Sequence, residues 1–127
     1  MTGAGRISAG LAAALALVAS PAVAAGDGAH GKSVFEEQCS GCHALSGPAV
    51  TAPSLAGVVG RKAGTAAGFS FSDAMAKSGV VWSEQSLDAF LTDPNKLISG
   101  TAMYGGMLAD PKDRADVIAY LKSVPAP

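Results

Sequence analysis

The sequence predicts an all-α domain. Three observations carry that expectation: no segment alternates apolar and polar residues long enough to make a convincing strand, several segments carry helix start and stop signals, and one long Gly/Pro/Ser/Thr-rich stretch without sustained period separates them. The first helix is predicted over residues 31–42, where Gly31, Val34, Phe35 and Cys39 recur on one face at helical spacing. Residues 44–71 form the long irregular stretch, an unusual length for a loop in a small domain and therefore a segment expected to wrap around something. Ser72 is placed to cap a short helix over 73–78 that Gly79 closes, and Ser83 to cap another that runs to Thr92. Asp93-Pro94 stops that helix, and one further helical turn is expected after Pro94. The last helix has the clearest punctuation. Asp110 serves as its N-cap and Pro111 occupies its first position, while Val117, Ile118, Leu121 and Val124 form its apolar stripe before Pro125 ends it.

Residues 1–25 read differently from the rest. They hold one positive charge, Arg6, then a small apolar run and the segment Ser20-Pro21-Ala22-Val23-Ala24-Ala25, which offers an A-x-A cleavage site. This is the pattern of a secretory signal, cleaved near Ala24 or Ala25; the run is too short and Ala-rich for the ~20 strongly apolar residues of a membrane span, so a retained anchor is the lesser reading. A single domain over residues 26–127 is expected, located in the periplasm. Without Arg6 it has eight Lys/Arg against ten Asp/Glu, a net charge of −2. No basic block points to nucleic acid, no stable membrane insertion is expected, and a chain of this size has a modest apolar supply. A buried cofactor would supplement that supply.

Cys39-Ser40-Gly41-Cys42-His43 is the pattern of c-type haem attachment. The two thiols can add to the two vinyl groups of a haem, and the histidine that follows immediately can ligate its iron. A redox pair or half of a zinc site are the alternatives. Neither explains a histidine abutting the second cysteine, and no second Cys/His cluster exists to complete a zinc site. One haem c, held covalently by Cys39 and Cys42, is therefore the expected cofactor, with His43 as a metal ligand. The sixth iron position needs another donor. Methionine is the natural candidate because a neutral thioether favours ferrous iron. Met103 and Met107 lie in one Gly-rich loop and Met75 in a predicted helix; composition alone does not separate the first two. His30 stands before the predicted first helix and reads as an exposed, ordinary histidine.

Beyond this motif, the chain from about Asp27 to Val124 resembles a class I cytochrome c of the soluble bacterial and mitochondrial type. The matching segments include Gly31-Lys32-Ser33-Val34-Phe35, Pro53-Ser54-Leu55-Ala56-Gly57, Gly60-Arg61-Lys62-Ala63-Gly64, Trp82, Asp93-Pro94, Gly100-Thr101-Ala102-Met103 and Arg114-Ala115-Asp116-Val117-Ile118-Ala119-Tyr120-Leu121-Lys122. The resemblance implies the small cytochrome c fold, its first and last helices crossing and its long loops wrapping one haem. It implies His43 as proximal ligand, Met103 as sixth ligand, and Pro53 as the carbonyl that accepts the other imidazole N–H. Arg61 and Trp82 are implied as donors to a haem propionate; a solvated charge and a plain core aromatic are their ordinary alternatives. Gly31 and Phe35 are implied to cross Val117 and Tyr120.

Some positions depart from the family pattern. Phe71 and Phe90 stand where relatives often have Tyr, Ser99 replaces a common proline, and Gly105 stands where an aromatic shield is expected. These departures imply a lower reduction potential and a looser sixth-ligand loop. The function expected is a monomeric, non-enzymatic electron carrier that meets a reductase or dehydrogenase and then an oxidase or reductase in transient complexes. Its alternatives are a haem subunit of a periplasmic dehydrogenase and, with less support, a haem ligand sensor or peroxidase. Few lysines flank the Met103 loop, Lys96 being the nearest, so weak electrostatic steering is expected.

Overall fold

The computed structural model describes residues 1–17, 26–49 and 51–127. The expected cleavage site at Ala24 or Ala25 lies outside the described residues. Among the described residues five helices follow in order: α1 (Gly28–Gln38), α2 (Asp73–Lys77), α3 (Glu84–Thr92), α4 (Pro94–Leu97) and α5 (Pro111–Ser123). Among the described residues the only strand-like feature is one antiparallel bridge between Lys62 and Val81, so the all-α expectation holds. No helix among them is long and apolar enough to cross a membrane.

Helix α1 begins three residues earlier than its apolar face indicated and ends sooner. The cause at its start is Asp27, whose carboxylate accepts the backbone N–H groups of Ala29 and His30 and so caps two otherwise orphaned donors. His30 therefore lies inside α1, not before it. At the other end Cys39 is the C-cap, its N–H still bonded to the Phe35 carbonyl, and the N–H groups of Cys42 and His43 fold back on the Cys39 carbonyl at 3.1 and 2.9 Å. The haem-attachment pattern thus occupies a turn at the helix exit rather than its last helical turn. The other helices begin and end within a residue of their signals. Ser83 and Ser86 cap α3 reciprocally, each hydroxyl accepting the other's N–H, a device worth about 1 kcal/mol.

The core sits where α1 and α5 cross, with α3 packed against α5 and α4 against α3. Gly31 is the pivot of the crossing. A Cβ there would run into the Asp116 carbonyl, so only glycine lets the two backbones approach this closely. One turn on, Phe35 and Tyr120 meet at 5.8 Å between ring centroids. Val34, Phe35, Val117, Ile118 and Leu121 are all buried, each large apolar side chain contributing about 1.5–3 kcal/mol by leaving water.

One buried charge fastens the same crossing. Asp116 on α5 accepts the Asp27 N–H at 2.7 Å, the His30 Nδ1–H at 2.7 Å and the Lys112 ammonium. These partners hold its carboxyl well down, from the ordinary 3.8 to about 2, the Lys112 bond first and the Asp27 N–H second, against a burial effect that pushes upward. His30 is exposed, as expected, but it is bound to this carboxylate rather than idle.

Candidate functional site

Between the helix crossing and the long loop lies a cavity of about 590 Å³, inside the ~300–1,000 Å³ range of ligand pockets. Every sequence-predicted site residue lines it: Cys39, Cys42, His43, Pro53, Arg61, Trp82 and Met103. The long 44–71 stretch closes one side, which explains its lack of period. It follows a cavity wall, not a helix axis.

The Cys39 thiol is half-buried and the Cys42 thiol exposed, and neither is bridged to another cysteine. Burial pushes the Cys39 thiol above its ordinary pKa, which keeps it protonated at neutral pH. The His43 ring lies 2.8 Å, at Nδ1, from the Pro53 carbonyl. A carbonyl only accepts, so Nδ1 carries the proton and Nε2 is left with its lone pair. Burial pushes this imidazole pKa down while the Pro53 bond pulls it up by less, so the ring is neutral at neutral pH, the state a metal ligand requires.

The bridge between Lys62 and Val81 sets Arg61 beside Trp82, since the Trp82 N–H donates to the Arg61 carbonyl at 2.9 Å and the Gly60 N–H to the Trp82 carbonyl at 2.6 Å. The Arg61 guanidinium donates to the carbonyls of Ala56 and Ser54 at 3.1 and 3.0 Å. It is a half-buried, oriented cation and not a solvated one; burial lowers its pKa from the ordinary value, and the group stays charged. Trp82 is 7% exposed and meets Phe90 edge to face at 5.0 Å. It is a core aromatic and a cavity wall at once.

Two methionines line the cavity. Met103 does so from the Gly-rich loop, as expected, and Met75 from α2; both are half-buried against the core. Met107 is 59% exposed and lies outside the lining, which separates it from Met103 by position. The Met103 methyl sits against Gly106, where a Cβ would meet it at 2.8 Å. Thr101, 3% exposed, offers its hydroxyl to the Met103 N–H at 3.3 Å.

Of the α3 residues in the far wall of the cavity, sequence reasoning named only Phe90, as a departure from the family pattern, and left out the rest. Leu87, Phe90 and Leu91 of α3 line it together with Val117 and Leu121 of α5. The signal was present: Leu87, Phe90 and Leu91 stand at i, i+3 and i+4, one face of a helix. The donor set suits haem c. An apolar cavity holds two free thiols, a neutral imidazole with one free nitrogen, two thioethers and an oriented guanidinium.

Comparison with known proteins agrees with this arrangement. The family model described as Cytochrome c matches residues 28–125. The chain is 51% identical over 100 residues to cytochrome c of Tetrahymena pyriformis, covering 78% of this chain and 90% of that one. It is 53% identical over 87 residues to cytochrome c2 iso-2 of Magnetospirillum fulvum, covering 68% of this chain and 91% of that one. The solved structure of cytochrome cH from Methylobacterium extorquens superposes with a TM-score of 0.73 at 44% identity, over 77% of this chain and 99% of that one. The chain belongs to the cytochrome c family of haem-bearing electron carriers.

Proposed function

We propose that this protein is a periplasmic monohaem carrier of single electrons, with one haem c attached through Cys39 and Cys42 and ligated by His43 and Met103. The observation that carries the reading is the convergence of both thiols, the His43 imidazole and the Met103 thioether on one apolar cavity. Haem supplies a one-electron iron couple when bound. The chain's own residues do the rest. Cys39 and Cys42 form two thioether bonds, and Pro53 orients the His43 ring and raises its basicity by accepting the Nδ1 proton. Arg61 uses donors on two carbonyls and keeps others for a carboxylate, the chemistry of a propionate, with Trp82 beside it. Leu87, Phe90 and Leu91 exclude water from the cavity.

Met103 is favoured over Met75 because Met75 is fixed inside α2, where its N–H bonds the Ser72 hydroxyl and its carbonyl accepts from Ser78. Export to the periplasm is supported by residues 1–25, whose positive charge, apolar run and A-x-A segment form a signal. Partners dock transiently. From Leu97 to Ala109 no residue is charged, and Tyr104 and Met107 stand 90% and 59% exposed, so the rim of the cavity offers apolar contact more than steering.

The test is an optical spectrum together with acidified organic extraction. Haem should stay with the polypeptide, and the ferric protein should show a sulfur-to-iron charge-transfer band. Met103→Ala should abolish that band and lower the reduction potential, while Met107→Ala and Met75→Ala should retain it. Haem that partitions into the solvent, or a band lost on removing Met75 instead, would overturn the assignment.

A further inference from the structure

The loop from Ala102 to Met107 has little structure of its own. Its own backbone makes one hydrogen bond, from the Met103 N–H to the hydroxyl of Thr101 just before it, and it contains Gly105 and Gly106 in sequence. Its position is therefore set by its ends. At the start, the Thr101 N–H donates to the Ile98 carbonyl at 3.1 Å and the Gly100 N–H to the Asn95 side chain at 2.9 Å. At the finish, the Leu108 N–H donates to the Leu91 carbonyl at 2.9 Å. The finish has a second anchor. Arg114 on α5, its side chain 12% exposed, donates Nη1 to the carbonyls of Leu108 at 2.8 Å and Ala109 at 3.1 Å, and Nε to Asp88 on α3 at 2.7 Å.

We infer that Arg114 is the positioning residue for the sixth iron ligand: by fastening Leu108 and Ala109 to α3 and α5, it holds the Met103 thioether in the cavity. The inference rests on the assignment of Met103 as ligand. A thioether on a loop competes for the metal with any small donor, and its advantage is the local concentration that its anchors enforce. Charge-assisted hydrogen bonds from a guanidinium to carbonyls, one of them on buried Leu108, are the strongest of those anchors, and Asp88 keeps the guanidinium aimed at them. Removing Arg114 frees the last third of the loop while leaving Met103 itself unchanged.

The experiment uses the ferric holoprotein and follows the sulfur-to-iron band as imidazole is added, so that added ligand competes with Met103. Arg114→Ala should raise the apparent imidazole affinity by about tenfold, the scale of charge-assisted hydrogen bonds lost. Asp88→Asn should act in the same direction by a smaller factor, because that side chain is 48% exposed. Asp116→Asn, which loosens the α1–α5 crossing without touching the loop, should leave the affinity at its starting value. If Arg114→Ala does not fold, Arg114→Lys carries the test, since it keeps the charge and loses the two-carbonyl fork. Equal imidazole affinity in the parent and the Arg114 variant overturns the inference, as does an equal shift from Asp116→Asn. A parent protein without the sulfur band fails earlier, at the ligand assignment itself.

Discussion

The α1–α5 crossing and the Met103 loop both depend on glycine, for opposite reasons. At the crossing Gly31 removes a side chain so that two helix backbones can touch, and buried Phe35, Val117 and Leu121 fill the space around them. In the loop Gly105 and Gly106 stand among exposed neighbours, Tyr104 at 90% and Met107 at 59%, while the Met103 side chain is half-buried against the core. One region is rigid because many contacts agree. The other is held at its two ends and free between them, which suits a segment that presents the proposed ligand inward and a surface outward.

The largest effect expected from this contrast is at the crossing. Gly31→Ala places a methyl against the Asp116 carbonyl, a backbone atom that cannot rotate away, so the helices must part. Overpacking typically costs about 1–3 kcal/mol, and against an immovable backbone carbonyl the upper end is expected, outweighing the roughly 1 kcal/mol returned by alanine's better helix propensity. Denaturant unfolding of the holoprotein should show a clear net loss. A midpoint equal to the parent's would mean that the crossing is softer than its geometry indicates.

The comparison also explains what could be read without coordinates. Helix starts were legible wherever a short polar side chain reaches its own backbone, as Ser72, Ser83 and Asp110 do. Asp27 is the same device, yet it precedes Gly28 and Gly31, which are poor helix formers, and the apolar face begins only later. That is why the start of α1 is misplaced. The attachment pattern named His43 because its chemistry is local in sequence. Arg114 could not be found in this way. Its partners, Asp88, Leu108 and Ala109, are joined by tertiary placement alone, and nothing in an arginine on an amphipathic helix distinguishes an anchor from a solvated charge. Met75 was likewise invisible as a cavity wall, because α2 is too short to display a face.

A second effect concerns pH and again separates the two regions. Asp116 has a folded pKa of about 2 against an ordinary 3.8, so its contribution to stability is present above about pH 4 and is lost as pH falls through about 2. The groups facing it are Lys112, His30, the Asp27 N–H and, further from His30 at 3.9 Å, Asp113. Thermal unfolding across that window should show the parent losing stability faster than Asp116→Asn, which starts less stable at neutral pH and varies less below it. Parallel curves would remove Asp116 from the account of the crossing. The Met103 loop has no charged residue between Leu97 and Ala109, so nothing on that segment itself should titrate in the same window.

The smallest effect distinguishes two adjacent glycines. At Gly105 a Cβ would meet nothing within 4 Å and the backbone is not left-handed, so Gly105→Ala should be neutral or stabilise by up to about 1 kcal/mol, through a less disordered unfolded chain. Gly106 has φ of +77° and its Cβ would stand 2.8 Å from the Met103 methyl. Gly106→Ala should therefore cost about 1–2 kcal/mol in left-handed strain alone. Part of that cost falls on the Met103 side chain, because the atom in the way is its flexible end and yields more easily than backbone. The sulfur-to-iron band is the discriminating measurement. It should be unchanged in Gly105→Ala and weakened or shifted in Gly106→Ala, at a temperature where both proteins remain folded. Equal bands in the two variants would mean that the Met103 methyl has room the geometry does not give it, and that the loop is held by its ends with no help from the glycine beneath the thioether.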